Sequence, residues 1–242
     1  MKRALLLVAA LVCIGAAAAR PVKIERNSKA LEFTYAWPAE AAATAALDRR
    51  FRADMAKAYR QALATAREDQ KIYREQRRAD MQDFYSMVWT TAGESPRLLS
   101  LQSEFGTFTG GAHPNTSYDA LLWDRKRGAP VTVSLLFASA TAFAAATRTT
   151  YCKALDAERL KRREGEKLDL PEFNACPKYS DLAIAPVDSN RNGRFDAIDF
   201  VASPYLAGPY VEGEYAISVP VTGRLNAALK PEYRSSFEAQ RQ

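Results

Sequence analysis

The chain has 242 residues, 48% hydrophobic and 26% charged, with a formal net charge of +6. This composition excludes a disordered or fibrous protein, and the length suffices to bury a core. The basic surplus is too small to argue for nucleic acid; it modestly favours anionic partners such as envelope polymers.

Lys2 and Arg3 precede an uncharged apolar run from Ala4 to Ala19, which closes on four alanines before Arg20. Basic start, short apolar stretch and small residues at its end predict a cleavable secretory signal over 1–19. A membrane span needs ~20 apolar residues, so retention as an anchor is the weaker alternative. Cys13 follows Val12 rather than a small residue, which argues against lipidation. No second long apolar run follows, so no membrane span is expected after processing. The expected product is a periplasmic or secreted domain over 20–242, of net charge +4 once Lys2 and Arg3 are lost. A junction near Gly93 would divide it into subdomains 20–92 and 93–242.

Leu31 to Trp37 alternates Leu31, Phe33, Tyr35 and Trp37 against other residues and predicts a strand. Pro38 then opens a long helical pattern from Ala39 to about Arg78, with Leu47, Phe51, Met55, Ala58, Ala62 and Ala66 on one stripe. The pattern turns polar beyond Ala66, so fraying or a break is expected there. Strands are predicted at Phe84–Thr91, Leu98–Phe108, Tyr118–Trp123 and Val131–Phe137, separated by Gly and Pro. A second helix runs from Ser139 to about Arg162, and strands resume at Leu182–Val187, Phe195–Ala202 and Glu214–Val221. The fold class is α+β: an antiparallel sheet packed by one long N-terminal helix and a second helix.

Cys152 and Cys176 are the two cysteines left after processing. An even count in an oxidising compartment predicts a bridge, against the alternative of two buried thiols. The basic run Lys161 to Lys167 between them reads as a solvated excursion.

His113 is the only histidine. The sequence has no His/Cys cluster with zinc spacing, no phosphate-binding glycine loop and no Gly-x-Ser-x-Gly elbow. A hydrolase would therefore have to use His113, which sits in the turn-like stretch Thr109-Gly110-Gly111-Ala112-His113-Pro114. The competing reading is a turn histidine bonded to nearby backbone.

The segment from Asp188 to Asp199 fits a twelve-residue calcium loop. Asp188, Asn190 and Asn192 hold positions 1, 3 and 5, Gly193 the sharp bend, Arg194 a carbonyl position, and Asp196 and Asp199 positions 9 and 12. A structural calcium is one reading, although position 12 lacks the bidentate Glu and the flanks read as strands. The alternative is a hairpin turned by Asn192-Gly193.

Tyrosines recur at 205, 210 and 215 on the frame Pro204-Tyr205-Leu206-Ala207-Gly208-Pro209-Tyr210. Exposed tyrosines on a stiff loop suit sugar stacking or a protein partner; the alternative is that they cover the core edge.

Phe108-Thr109-Gly110-Gly111-Ala112-His113, the later Pro-Tyr-x-x-Gly-Pro-Tyr run and the closing Val219-Pro220 resemble one family over roughly Phe84 to Leu229. It is an extracytoplasmic domain of unknown function, found in a lysozyme-sensing anti-sigma factor and beside the catalytic domain of a peptidoglycan deacetylase. The preceding strand and helix resemble that family's usual partner domain. The resemblance implies an α+β fold, an envelope setting and binding rather than catalysis, and it supplies no catalytic residue. The expected function is a non-enzymatic binding domain whose ligand is a cell-wall glycan or an envelope protein, contacted by His113, Tyr205 and Tyr210. A lysozyme-binding or lysozyme-inhibiting protein and a hydrolase using His113 remain the alternatives.

Overall fold

A computed structural model describes residues 19–240. The candidate signal segment, apart from its last residue, lies outside the described residues. Among those described, no helix is long and apolar enough to cross a membrane.

Strand β1 (Val22–Asn27) pairs antiparallel with β2 (Leu31–Trp37), Val22 opposite Trp37. The Leu31 N–H donates to Ser28 Oγ in the turn between them, at 3.1 Å. On β2 the alternation holds: Leu31, Phe33, Tyr35 and Trp37 are all buried. The helical stretch is not continuous. Helix α1 (Ala39–Ala43) ends at Thr44, which is extended, and α2 (Ala45–Glu75) restarts beyond it. Nor does α2 fray after Ala66. Tyr73, in its last turn, is buried, and its hydroxyl donates to Asp83 Oδ1 at 2.7 Å.

Asp83 opens β3 (Asp83–Glu94), which lies parallel to β2 with Phe33 opposite Tyr85. A helical crossover of this length permits a parallel neighbour, whereas a hairpin does not. The expected antiparallel sheet is found, with this one pair parallel. Strands β4 (Leu98–Phe108), β5 (Asn115–Asp124) and β6 (Ala129–Val131) then add antiparallel, so six strands stand in chain order. The strand expected over Val131–Phe137 is also corrected. Only Val131 belongs to a strand there, and Val133–Leu136 form a 3-10 turn. Val133, Leu136 and Phe137 are buried at steps of three and one, which a turn delivers and a period of two does not.

Helix α3 (Ala140–Arg162) is capped by Ser139, whose Oγ accepts the Ala142 N–H at 3.0 Å. A second sheet follows: β7 (Ala183–Val187), β8 (Ala197–Ala202) and β9 (Tyr215–Pro220), all antiparallel. Helix α4 (Gly223–Ala228) precedes the C-terminal segment, where Phe237 bridges to Phe195. Cys152 of α3 is bonded to Cys176, as parity predicted.

The two cores share the same strands. One holds Phe33, Trp37, Phe51, Leu99, Leu101 and Trp123 beneath α2. The other holds Leu98, Leu122, Phe143, Tyr151, Phe200 and Tyr215 between the large sheet, the small sheet and α3. Successive strand residues point to opposite faces, so Leu98 and Leu99 serve different cores. Gly93, the candidate junction, lies inside β3 at a bulge. A Cβ there would stand 2.5 Å from the Asp188 nitrogen, so the glycine allows a close approach of the chain just after β7.

Two outcomes are expected at the end of α2. Tyr73→Phe leaves buried Asp83 without its donor and lowers stability by about 1–3 kcal/mol, read from urea unfolding. Burial, with Asp69 nearby, pushes the Asp83 carboxyl up to about 6. The folded state therefore binds more protons than the unfolded chain between pH ~4 and ~6. The stability of the native protein relative to Asp83→Asn falls as pH rises through that window and is constant above it.

Candidate functional site

Helix α3 and its C-cap carry two arginines with buried side chains. Arg159, 3% exposed, gives Nε to the Ala207 carbonyl and Nη2 to the Ala175 carbonyl, both at 2.9 Å. Arg163 forks onto Glu212 with two bonds of 2.9 Å and also reaches the Ala207 carbonyl at 3.3 Å. The guanidinium beside Glu212 holds that carboxyl below its usual range. The basic run read as solvated is thus divided: Lys161 is exposed, whereas the Arg163 side chain is 6% exposed.

These bonds fix the loop between β8 and β9. Gly208 is required there, because a Cβ would lie 2.0 Å from Glu212 Oε2, an oxygen already held by Arg163 and the Tyr215 hydroxyl. The loop turns through Leu206 N–H to Ser203 O (3.0 Å) and Tyr205 N–H to Gly208 O (3.1 Å). Tyr205 takes a φ of +72° and is 54% exposed. Positive φ in a bulky residue is an outlier that costs of order 1–3 kcal/mol.

The three sequence candidates meet at this loop. His113 stacks on Tyr210, centroids 3.8 Å apart and planes at 19°, and Tyr205 lies 5.7 Å from Tyr210. Tyr210 Oη donates to the Pro114 carbonyl at 2.7 Å. His113 Nδ1 lies 2.8 Å from the same carbonyl, and Nε2 lies 3.4 Å from Tyr205 Oη. The Nδ1–H tautomer satisfies both ring contacts, with Tyr205 donating to Nε2. The base of the histidine loop is seated on the end of α2: Gly110, at φ +87°, packs so closely that a Cβ would sit 3.1 Å from Tyr73 Oη. Among the described residues no serine, threonine, cysteine or carboxylate hydrogen-bonds to His113, so no nucleophile–base pair is assembled there.

The calcium set predicted from Asp188 to Asp199 does not converge. Asp188 accepts the Asn192 N–H at 3.0 Å and the Gly193 N–H at 2.8 Å. Asn190 Oδ1 accepts from Asn192 N–H at 3.2 Å, and Asn192 Oδ1 from Arg194 N–H at 3.0 Å. The Arg194 guanidinium reaches the Phe237 carbonyl. Asp196 turns to Ser189, accepting its N–H at 2.8 Å and its hydroxyl. Asp199 lies on β8, opposite Ala185 and Ser218, and lines a cleft between the two sheets with Glu104, Tyr118 and Glu214. Burial raises its carboxyl above the ordinary value. Among the described residues no three His, Cys, Asp or Glu side chains group to hold a metal. Both asparagine amides instead donate to Glu238 Oε1, at 2.5 and 2.7 Å, closing the loop on the C-terminal segment. The Asp/Asn ladder is thus spent on the loop's own N–H groups, an alternative that the sequence pattern alone does not distinguish.

Residues 24–116, from β1 to the start of β5, match the family model described as deacetylase PdaC. Two solved structures of the DUF3298 family share the fold. One, from Bacteroides fragilis, is 16% identical with a TM-score of 0.57, covering 90% of this chain and 97% of its own. The other, from Pseudomonas aeruginosa, is 13% identical with a TM-score of 0.55, covering 92% and 98%. No curated protein matches the chain. The fold is therefore that of a DUF3298-type domain with a PdaC-like first half. This agrees with the deacetylase part of the sequence resemblance; the anti-sigma-factor setting is not among these findings.

Arg159, Arg163 and Glu212 are site-building residues that sequence reasoning missed. Gly208→Ala should push Glu212 off Arg163 and lower stability by about 1–3 kcal/mol, with the His113–Tyr210 stack loosened in side-chain NMR spectra. Asp188→Ala should cost about 1–2 kcal/mol. The loss should be the same in millimolar calcium and in chelator, because hydrogen bonds close the loop.

Proposed function

We propose that the chain is an exported, non-catalytic binding domain of the cell envelope, and that Tyr205, Tyr210 and His113 form its contact platform. The observation that carries this reading is Tyr205: exposed, backbone-strained and set beside a stacked Tyr–His pair. Strain and exposure together are unfavourable unless the ring has work to do. Adjacent aromatic faces with hydroxyl edges suit a pyranose ring, which favours a cell-wall glycan as the ligand, or the apolar edge of an envelope protein.

A second reading, a lysozyme-binding domain, has one observation in its favour. The net charge of the chain opposes a basic partner, but Glu104, Asp199 and Glu214 line the inter-sheet cleft with no lysine or arginine on its walls. Tyr118, on the same wall, donates its N–H to Ser203 Oγ at 3.0 Å, which joins the cleft to the platform loop. A basic protein seated on the platform would meet this local negative field.

The test is co-sedimentation with purified peptidoglycan sacculi across a salt series. Saturable pelleting is expected, weakened at least tenfold by Tyr205→Ala and Tyr210→Ala with cooperative unfolding retained. Absence of pelleting at low salt overturns the glycan reading. Size exclusion with lysozyme then decides the second reading, and Glu104→Gln with Glu214→Gln should weaken that complex.

A further inference from the structure

A cleft of about 650 Å³ opens between the first half of α3 and the β5–β6 edge, away from the tyrosine platform. That size lies within the range of small-ligand sites. Its apolar lining includes Leu122, Val131, Phe143 and Ile184. Phe143 and Leu122 are already buried in the second core, so the lining is continuous with packed interior. Two cations, Arg148 and Lys178, also line it. Arg148 donates to the Pro177 and Cys176 carbonyls at 3.2 Å each, and among the described residues neither cation has a carboxylate partner. Asp119 also borders the cleft, but its carboxylate is turned onto the Ala120 N–H at 2.7 Å.

The cleft is pre-formed. Its outer wall is the segment from Lys178 to Leu182, and this segment is tied to α3 three times. Cys176 is bonded to Cys152, Arg148 grips the adjoining carbonyls, and the Thr147 and Tyr179 hydroxyls meet at 2.9 Å. Tyr179 also packs on Phe143 at 5.3 Å and carries the Arg148 guanidinium 5.5 Å above its ring. Such a wall loses little freedom when a ligand enters.

We propose that this cleft binds a single-chain alkyl carboxylate, its chain on the apolar floor and its head group against Lys178 and Arg148. A neutral apolar ligand would leave both cations without an anion. A small inorganic anion would leave the apolar floor in water. The combination of apolar floor and cationic rim is complementary to an anionic amphiphile.

The probe is dodecanoate below its micellar concentration, titrated calorimetrically into the protein, with dodecyltrimethylammonium and dodecyl maltoside as cationic and neutral controls. Saturable one-to-one binding of dodecanoate is expected, at least tenfold tighter than either control. Lys178→Glu should weaken it at least tenfold with unchanged melting temperature, because Lys178 is an exposed residue. Ala144→Trp should fill the cleft and remove binding with the far-ultraviolet circular dichroism and cooperative unfolding retained. Reducing Cys152–Cys176 should also weaken binding by freeing the wall. Equal binding of all three amphiphiles, absence of binding, or full affinity in Lys178→Glu overturns the proposal.

Discussion

The candidate platform depends on two guanidinium groups that the fold takes out of water. Burying an arginine is costly unless its donors are matched and its charge is met. Arg163 meets both conditions through the two-pronged bond to Glu212. Arg159 meets them differently: carbonyls from two separate loops surround it, with Asp156 at 3.1 Å as its counter-charge. The helix C-terminus adds a favourable field for both cations. Because Ala207 receives a bond from each arginine, the platform loop and the loop after Leu170 are fastened at one point on a rigid helix. Removing either guanidinium would strand buried carbonyls, and in the case of Arg163 a buried carboxylate as well.

The opposing half of the platform is held by unrelated means. The histidine loop extends the β4–β5 hairpin, and its glycine rests on Tyr73 at the far end of α2. Tyr73 is in turn fixed by Asp83 at the start of β3. The aromatic cluster thus forms where two separately braced loops touch, and the Pro114 carbonyl receives a donor from each. Placing a contact surface on loops held by rigid elements keeps its geometry while leaving its faces in solvent.

The parts of this arrangement that were legible in the sequence are those set by local periodicity. The alternation of β2 and the stripe Leu47, Phe51 and Met55 are packing patterns, and both are realised. The bridge between Cys152 and Cys176 followed from parity and compartment. What stayed hidden depends on long-range partners. The polar tail of α2 is anchored by the Tyr73–Asp83 bond and by Gln70 on the Met81 carbonyl, and the Arg163 guanidinium is met by Glu212, 49 residues away. Strand β1 escaped notice because only Val22 and Ile24 are partly buried in an otherwise exposed edge strand. The Asp188 ladder is ambiguous in itself. A spacing that can cage a cation can equally satisfy the N–H groups of its own turn, and Asp188 accepts two such N–H groups.

Tyr205 shows what the bracing allows. Glycine would adopt its backbone conformation without strain, and the turn bonds at Ser203 and Gly208 involve only main-chain atoms, so glycine would preserve them too. A tyrosine in this position therefore contributes nothing that the turn itself needs. Its ring is half in solvent, and its hydroxyl reaches His113 only at 3.4 Å, too long to repay a strain of order 1–3 kcal/mol. The loop is over-determined by the Arg159 and Arg163 bonds to Ala207, which is the condition under which such strain persists. On the function proposed above, contact with a ligand would repay this strain, and the ring faces presented beside Tyr210 and His113 are where that contact would fall.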